Sequence, residues 1–199
     1  MKYGLGLLAL AWLSLAGCSA TPTPTRCPEP AGLTTPETRA DTSPQSRVFL
    51  VRHAEKADDG TKDPPLLPRG VARATCLAGM LGNVELTHVF ATDLQRTELT
   101  VRPTAASHEL EVVTFPASDI DALANALRGL PDGSVALVAG HSNTIPKLTE
   151  MLGAPLQGLN AKGHIPEQEH DRLIEVVLGD DPGVPPLVQL RYCEPSHRG

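Results

Sequence analysis

Arg47-Val48-Phe49-Leu50-Val51-Arg52-His53-Ala54-Glu55-Lys56 decides how the rest of this 199-residue chain is read. Val48 to Val51 are apolar without interruption, and two of the four are β-branched, the pattern of a short strand. A strand that is apolar at every position is one covered on both faces, as in a parallel sheet between helices. The run ends abruptly at Arg52 and His53, with Glu55 and Lys56 beyond. Ligands of open α/β sheets bind past the carboxyl ends of the strands. A guanidinium and an imidazole at that rim stand where chemistry is done, although taken alone the pair equally fits the polar start of an ordinary loop.

Downstream, strand-like and helix-like segments alternate. The periodicity predicts a helix over 70–81, with Val71, Ala74, Ala78 and Leu81 as its apolar stripe and Cys76 off that stripe. A second strand, His88-Val89-Phe90-Ala91, leads into Thr92-Asp93-Leu94-Gln95-Arg96-Thr97 and a helix that Pro103 must kink or restart. A third strand spans 111–115. Ser118 or Asp119 can cap a helix over 120–130, which stops before Pro131-Asp132-Gly133. The fourth strand, 135–139, is wholly apolar and runs into Gly140-His141-Ser142-Asn143; a helix follows over 144–152, its Pro146 tolerable in a first turn. Two last strands, 173–178 and 187–192, flank a Gly/Pro-rich turn. The alternation predicts a three-layer α/β/α sandwich with a mainly parallel sheet, and the final tight turn an antiparallel edge.

Composition narrows the function classes. At 41% hydrophobic and 20% charged, the chain is globular in type, and its length suits one domain with a large core. Net charge is −6 and only six residues are aromatic. A nucleic-acid binder needs clustered Lys and Arg, so that class is set aside.

The N-terminus reads as a targeting segment. Lys2 precedes an uncharged run from Gly4 to Gly17, which as a helix would span roughly 21 Å, short of the ~30 Å hydrocarbon core. That is the h-region of a signal peptide over residues 1–17. Leu15-Ala16-Gly17-Cys18 resembles the lipobox of bacterial lipoproteins, which implies cleavage before Cys18 and acylation there. Several acyl chains on one residue suffice for stable anchoring. Ser19 after the cysteine implies the outer membrane, facing the periplasm. Residues 18–45 are rich in Thr and Pro and read as a semi-rigid tether, leaving 46–199 as the domain. The chain from Cys18 onward holds 16 Lys and Arg against 23 Asp and Glu, or −7. In an oxidising compartment, one disulfide among Cys27, Cys76 and Cys193 is expected, in any of three pairings. No Cys-x-x-Cys occurs, and the separation of His164 and His170 does not suit a metal pair, so neither a metal nor a cofactor is expected.

Three strand ends carry the same kinds of residue. His53, Arg96 and His141 follow one another at intervals of 43 and 45 residues, and in a parallel sheet all three loops open on one rim. Two guanidiniums and two imidazoles gathered there repel one another unless an anion sits among them. The planar fork of arginine suits a tetrahedral phosphoryl group. The residues themselves therefore predict an oxyanion pocket with histidine chemistry inside it.

These motifs carry a resemblance. Arg52-His53-Ala54-Glu55 resembles the Arg-His-Gly/Ala-Glu signature of the histidine phosphatase (phosphoglycerate mutase-like) superfamily. Asp93 to Thr97 resembles its second arginine motif, Gly140 to Ile145 its second histidine motif, and Glu169-His170-Asp171-Arg172-Leu173 a stretch near the end of its small members. The likeness covers roughly residues 46–192. It implies that His53 is the nucleophile and forms a phosphohistidine, while Arg52, Arg96 and His141 bind the non-bridging oxygens. Ser142 and Asn143 are candidate donors to the same group, or else caps of the next helix. A carboxylic acid should protonate the leaving oxygen and then activate water. Among Glu98, Glu109, Glu111, Asp119 and Asp121, Asp119 is preferred because it follows the carboxyl end of the third strand; simple helix capping would explain it equally. His88, His108, His164, His170 and His197 match no functional position.

The expectation is a lipid-anchored phosphatase acting on a small phosphomonoester or phosphoramidate. A phosphohistidine phosphatase is the alternative within enzymes. Outside enzymes, it is a lipoprotein that binds phosphorylated ligands without turning them over.

Overall fold

The computed structural model describes residues 44–179 and 187–193. The signal peptide, the lipobox at Cys18, most of the tether, Cys27 and His197 lie outside them. The described chain runs β1 (Ser46–Arg52), α1 (Pro68–Leu81), β2 (His88–Thr92), α2 (Gln95–Ser107), β3 (Val112–Phe115), α3 (Ile120–Arg128), β4 (Val135–Gly140), α4 (Thr144–Met151), β5 (Arg172–Leu178) and β6 (Leu187–Arg191). These bounds differ from the sequence reading by a residue or two at most termini, the usual scatter of element ends.

Six strands form one sheet in the order β3-β2-β4-β1-β5-β6. β1, β2, β3 and β4 are mutually parallel, whereas β5 runs antiparallel to β1 and β6 antiparallel to β5. β1 therefore sits inside the sheet, and Val48, Leu50 and Val51 are fully buried, as its unbroken apolar run requires. The period-2 alternation divides the core in two. Val48, Leu50, Ala136 and Val138 pack with Leu123 and Leu127 of α3 and Leu148 of α4. Phe49, Val51, Leu137 and Ala139 face Leu77 and Leu81 of α1 and Val101 of α2. Helices thus cover both faces of the expected sandwich.

Two helical details differ from the sequence reading. The buried stripe of α1 is Gly70, Arg73, Ala74, Leu77 and Leu81, and Val71 is 53% exposed. Counting apolar residues alone displaced the stripe by one position, because Gly70 and Arg73 belong to it. A Cβ at Gly70 would run into the Glu55 carbonyl oxygen, so glycine lets α1 lie against the loop that follows β1. α2 is continuous from Gln95 to Ser107 with Pro103 inside it; proline removes one N–H there without ending the helix.

Of the three cysteine pairings left open, the structure forms Cys76–Cys193, which closes a separation of 117 residues. It fixes the segment after β6 to α1. A crosslink over so long a loop contributes about 2–4 kcal/mol, chiefly by restricting the unfolded chain.

Candidate active site

Register brings the separated motifs together. Arg52 is the Cα partner of Gly140 across β1 and β4, and Ala91 that of Ala139 across β2 and β4. The next residues along, His53, His141 and Thr92, accordingly cluster at one sheet rim. The His53 amide donates to the Gly140 carbonyl at 2.8 Å, extending the ladder one residue past β1. Gly140 is required there, since a Cβ would meet Ile145 Cδ1 at 2.8 Å and Thr144 Oγ1 at 2.9 Å.

His53 is 4% exposed, with the rings of His141 and His170 at centroid distances of 5.5 and 5.6 Å. Its Nδ1 lies 2.8 Å from the Ala54 carbonyl oxygen. A carbonyl only accepts, so Nδ1 carries the proton and Nε2 holds the lone pair. Burial, reinforced by the nearby Arg52 charge, pushes the His53 pKa down to about 2. The imidazole is neutral throughout the physiological range, as a nucleophile must be.

His141 is also held neutral. Burial first, then the Arg96 and Arg52 charges, lowers its pKa to about 4. Its backbone N–H donates to Thr144 Oγ1 at 2.8 Å, and Nε2 shares a 2.9 Å hydrogen bond with Thr92 Oγ1. Thr92 is in turn 3.1 Å from Thr97 Oγ1, so two β-branched residues of fixed rotamer orient this ring.

Both arginines have unfinished hydrogen bonding. Arg52 Nη1 donates to the carbonyls of Pro166 (3.1 Å) and Glu167 (2.7 Å), and Nη2 to Glu167 Oε2 at 2.6 Å. Arg96, the second residue of α2, places Nη1 3.7 Å from Asp63 Oδ1. The same Asp63 carboxylate accepts the Gln95 N–H at the start of α2. Yet the Nε atoms of Arg52 and Arg96 are both buried without a partner. A buried N–H of a charged group left unsatisfied costs free energy, and an oxyanion lying between the two guanidiniums would satisfy both.

The remaining candidates separate. Ser142 Oγ donates to Glu167 Oε1 at 3.2 Å. Asn143 is exposed at the N-cap of α4 and makes no side-chain cap bond. Asp119 follows β3 on the same rim, but β2 and β4 stand between β3 and β1. Its Oδ1 accepts the Ala122 N–H at 3.0 Å, so the carboxylate is engaged as the cap of α3.

Three residues near the centre had no role in the sequence reading. His170 Nδ1 donates to the His53 carbonyl at 2.8 Å, and burial lowers its pKa; the Glu169 to Leu173 stretch was the signal for it. Glu167 lies on the loop between α4 and β5, with no pattern around it to announce it. Glu55 receives Arg73 Nε at 3.0 Å and Nη2 at 2.9 Å, both side chains being about 5–7% exposed. Burial opposes the Glu55 charge, but Arg73 outweighs it and holds the carboxyl below its ordinary value.

A parallel-sheet rim that gathers two arginines and two neutral histidines is the arrangement of an oxyanion-binding α/β domain. Comparison with known proteins points the same way. The histidine phosphatase superfamily (branch 1) model matches residues 48–117, a span that includes Arg52, His53 and Arg96. A protein of Yersinia pestis (strain Pestoides F) named "Probable phosphoglycerate mutase GpmB" is 34% identical over 76 residues, 35% of either chain; the match thus spans about a third of that relative. Among solved structures, the protein histidine phosphatase SixA complexed with tungstate has a TM-score of 0.54 at 19% identity, covering 75% of this chain and 97% of its own. A structure titled "Crystal structure of the putative phosphohistidine phosphatase SixA from Agrobacterium tumefaciens" has a TM-score of 0.53 at 18% identity, covering 75% and 98%. The family model thus matches the part of the domain that carries Arg52, His53 and Arg96, and the two solved structures share its fold.

Proposed function

We propose that the domain is a phosphatase, transferring the phosphoryl group of a small ester or phosphoramidate to His53 Nε2 and then to water. The observation that carries this reading is the pair of buried, unpartnered Nε atoms on Arg52 and Arg96, beside an imidazole whose Nδ1 proton is held by Ala54. Binding alone would need the guanidiniums. It would not need a neutral histidine with its lone pair left available. In the first step Nε2 attacks phosphorus and the ester oxygen departs; Arg52, Arg96 and His141 stabilise the charge spread over the equatorial oxygens. Water then attacks the phosphohistidine and releases inorganic phosphate. The SixA structure with tungstate, a tetrahedral oxyanion, agrees with this reading, and the phosphoramidate option follows from the same neighbours.

The test is to trap the intermediate. A reaction with 32P-labelled phosphodonor, quenched in alkali, should leave label on the peptide containing His53, stable to base and released by acid. No label during turnover would exclude a phosphohistidine.

We further propose that the mature protein is tethered to the outer membrane through acylated Cys18, facing the periplasm. The support is the lipobox-like Leu15-Ala16-Gly17-Cys18 and the Pro-rich stretch behind it. Metabolic labelling with a radioactive fatty acid should mark the wild type and not Cys18→Ser; equal labelling would refute the anchor.

A further inference from the structure

The mechanism needs a proton donor for the leaving oxygen, and the structure engages Asp119 elsewhere. Among the described residues one carboxylate contacts Arg52 directly. Glu167 Oε2 lies 2.6 Å from Arg52 Nη2 and Oε1 lies 3.2 Å from Ser142 Oγ. The neighbouring donor on the same edge of that guanidinium, Nε, is buried and unpartnered. Two acceptors placed side by side on this edge are as close as the two oxygens of one carboxylate in a fork-to-fork arginine pair. A phosphoryl oxygen taking Nε would therefore lie beside Glu167 Oε2.

We propose that Glu167 is the proton-transfer residue of this site, giving a proton to the departing oxygen and then taking one from the water that frees His53. The inference rests on the phosphatase reading above. In the resting site burial opposes ionisation of Glu167, but the Arg52 charge prevails and holds the carboxyl below its ordinary value. His170, whose own pKa is lowered by burial, adds a smaller pull in the same direction as Arg52. When a phosphoryl dianion arrives, it compensates Arg52 and sets negative charge next to the carboxylate. Like charges at such a distance cannot both persist, and one oxygen takes up a proton. The substrate itself thus loads the acid.

The steps balance. As the His53 Nε2–P bond forms and the P–O bond breaks, the leaving oxygen takes the Glu167 proton and departs as an alcohol. Water then attacks phosphorus and Glu167 accepts its proton. The Nε2–P bond breaks with its electron pair returning to nitrogen. Inorganic phosphate leaves, and Glu167, facing Arg52 alone once more, returns to solvent the proton taken up when substrate bound. The Glu167 side chain is 68% exposed, which puts it toward solvent, where the organic part leaves and water enters.

The experiment compares leaving groups in the full chain. Removing a general acid costs on the order of 10²–10⁴ in rate, and the loss follows how much the leaving group needs a proton. Glu167→Gln should slow formation of the phosphoenzyme from an alkyl phosphate about 100-fold or more. The pre-steady-state burst with 2,4-dinitrophenyl phosphate should stay near wild type, followed by slowed release of phosphate. Glu167→Asp should recover part of the alkyl phosphate activity. Equal losses on both substrates would overturn the assignment, as would kcat unchanged or raised with a lower KM, which would make Glu167 an internal anion that merely occupies Arg52. A wild type that never labels His53 would instead overturn the phosphatase reading, and this inference with it.

Discussion

Replacing His53 with alanine is expected to lower kcat on a generic aryl phosphate by about 10⁴–10⁶, the range seen when a covalent nucleophile is removed. The loss should be confined to chemistry. Arg52 is held by the Pro166 and Glu167 carbonyls, Arg96 is fixed by its place at the start of α2, and neither depends on the His53 ring. The Nδ1 donor of His170 is aimed at a backbone carbonyl, which alanine keeps. Inorganic phosphate, followed by calorimetry, should consequently bind His53→Ala within a few-fold of wild type while turnover disappears. Residual turnover within tenfold of wild type would show that His53 is not the nucleophile. Loss of phosphate binding together with turnover would show instead that the ring organises the arginines.

The second large effect concerns stability. Arg73→Ala should cost about 3–5 kcal/mol, because it strands Glu55 as a buried charge without a partner. Glu55 and Arg73 together join the loop after β1 to α1, and Arg73 Nη1 also reaches the Tyr192 carbonyl at 3.4 Å. Acidity supplies a check on cause. In the wild type the Glu55 pKa is depressed below its ordinary 4.5, so the pair stabilises above that value, and the benefit is lost as the pH falls through the lower folded value. In Arg73→Ala, burial, the largest influence on Glu55, loses its main opponent, and the Glu55 pKa should rise relative to wild type. The penalty of the substitution should then be largest at neutral pH and shrink as acid protonates the stranded carboxyl. Chemical denaturation at pH 7 and pH 4 measures this; a penalty that grows on acidification would contradict it. The double variant Glu55→Gln, Arg73→Met should recover much of the loss.

Strand ends and loop interiors differed in how much the sequence disclosed. Val48–Val51 and Val135–Ala139 are apolar at every position because both faces are covered, and that pattern alone marked them as inner strands. Arg52, His53 and His141 directly follow such strands, and Arg96 follows β2 by four residues. A parallel sheet fixes where those positions emerge, so their convergence was legible. Glu167 and His170 were not. They belong to a segment without regular period, and their partners Arg52 and His53 lie 115 and 117 residues earlier, a pairing no local pattern encodes. Arg73 was hidden for a different reason. A charged residue in an apolar stripe reads as solvent-facing unless its counter-ion is known, and Glu55 is reached only once α1 has folded back on its loop. Asp119 shows the reverse case: its placement after β3 was read correctly, but a carboxylate at that point satisfies a helix terminus as readily as it serves a substrate.

The crosslink between Cys76 and Cys193 also sets an order of events in the life of the chain. Cys193 lies 117 residues after Cys76 and beyond every described strand and helix, so whether the polypeptide emerges from a ribosome or threads through a translocation channel, Cys76 must wait for all of those elements to arrive. Oxidation can then seal only a domain whose strands and helices have all been delivered, and a product truncated before Cys193 would never acquire the bond.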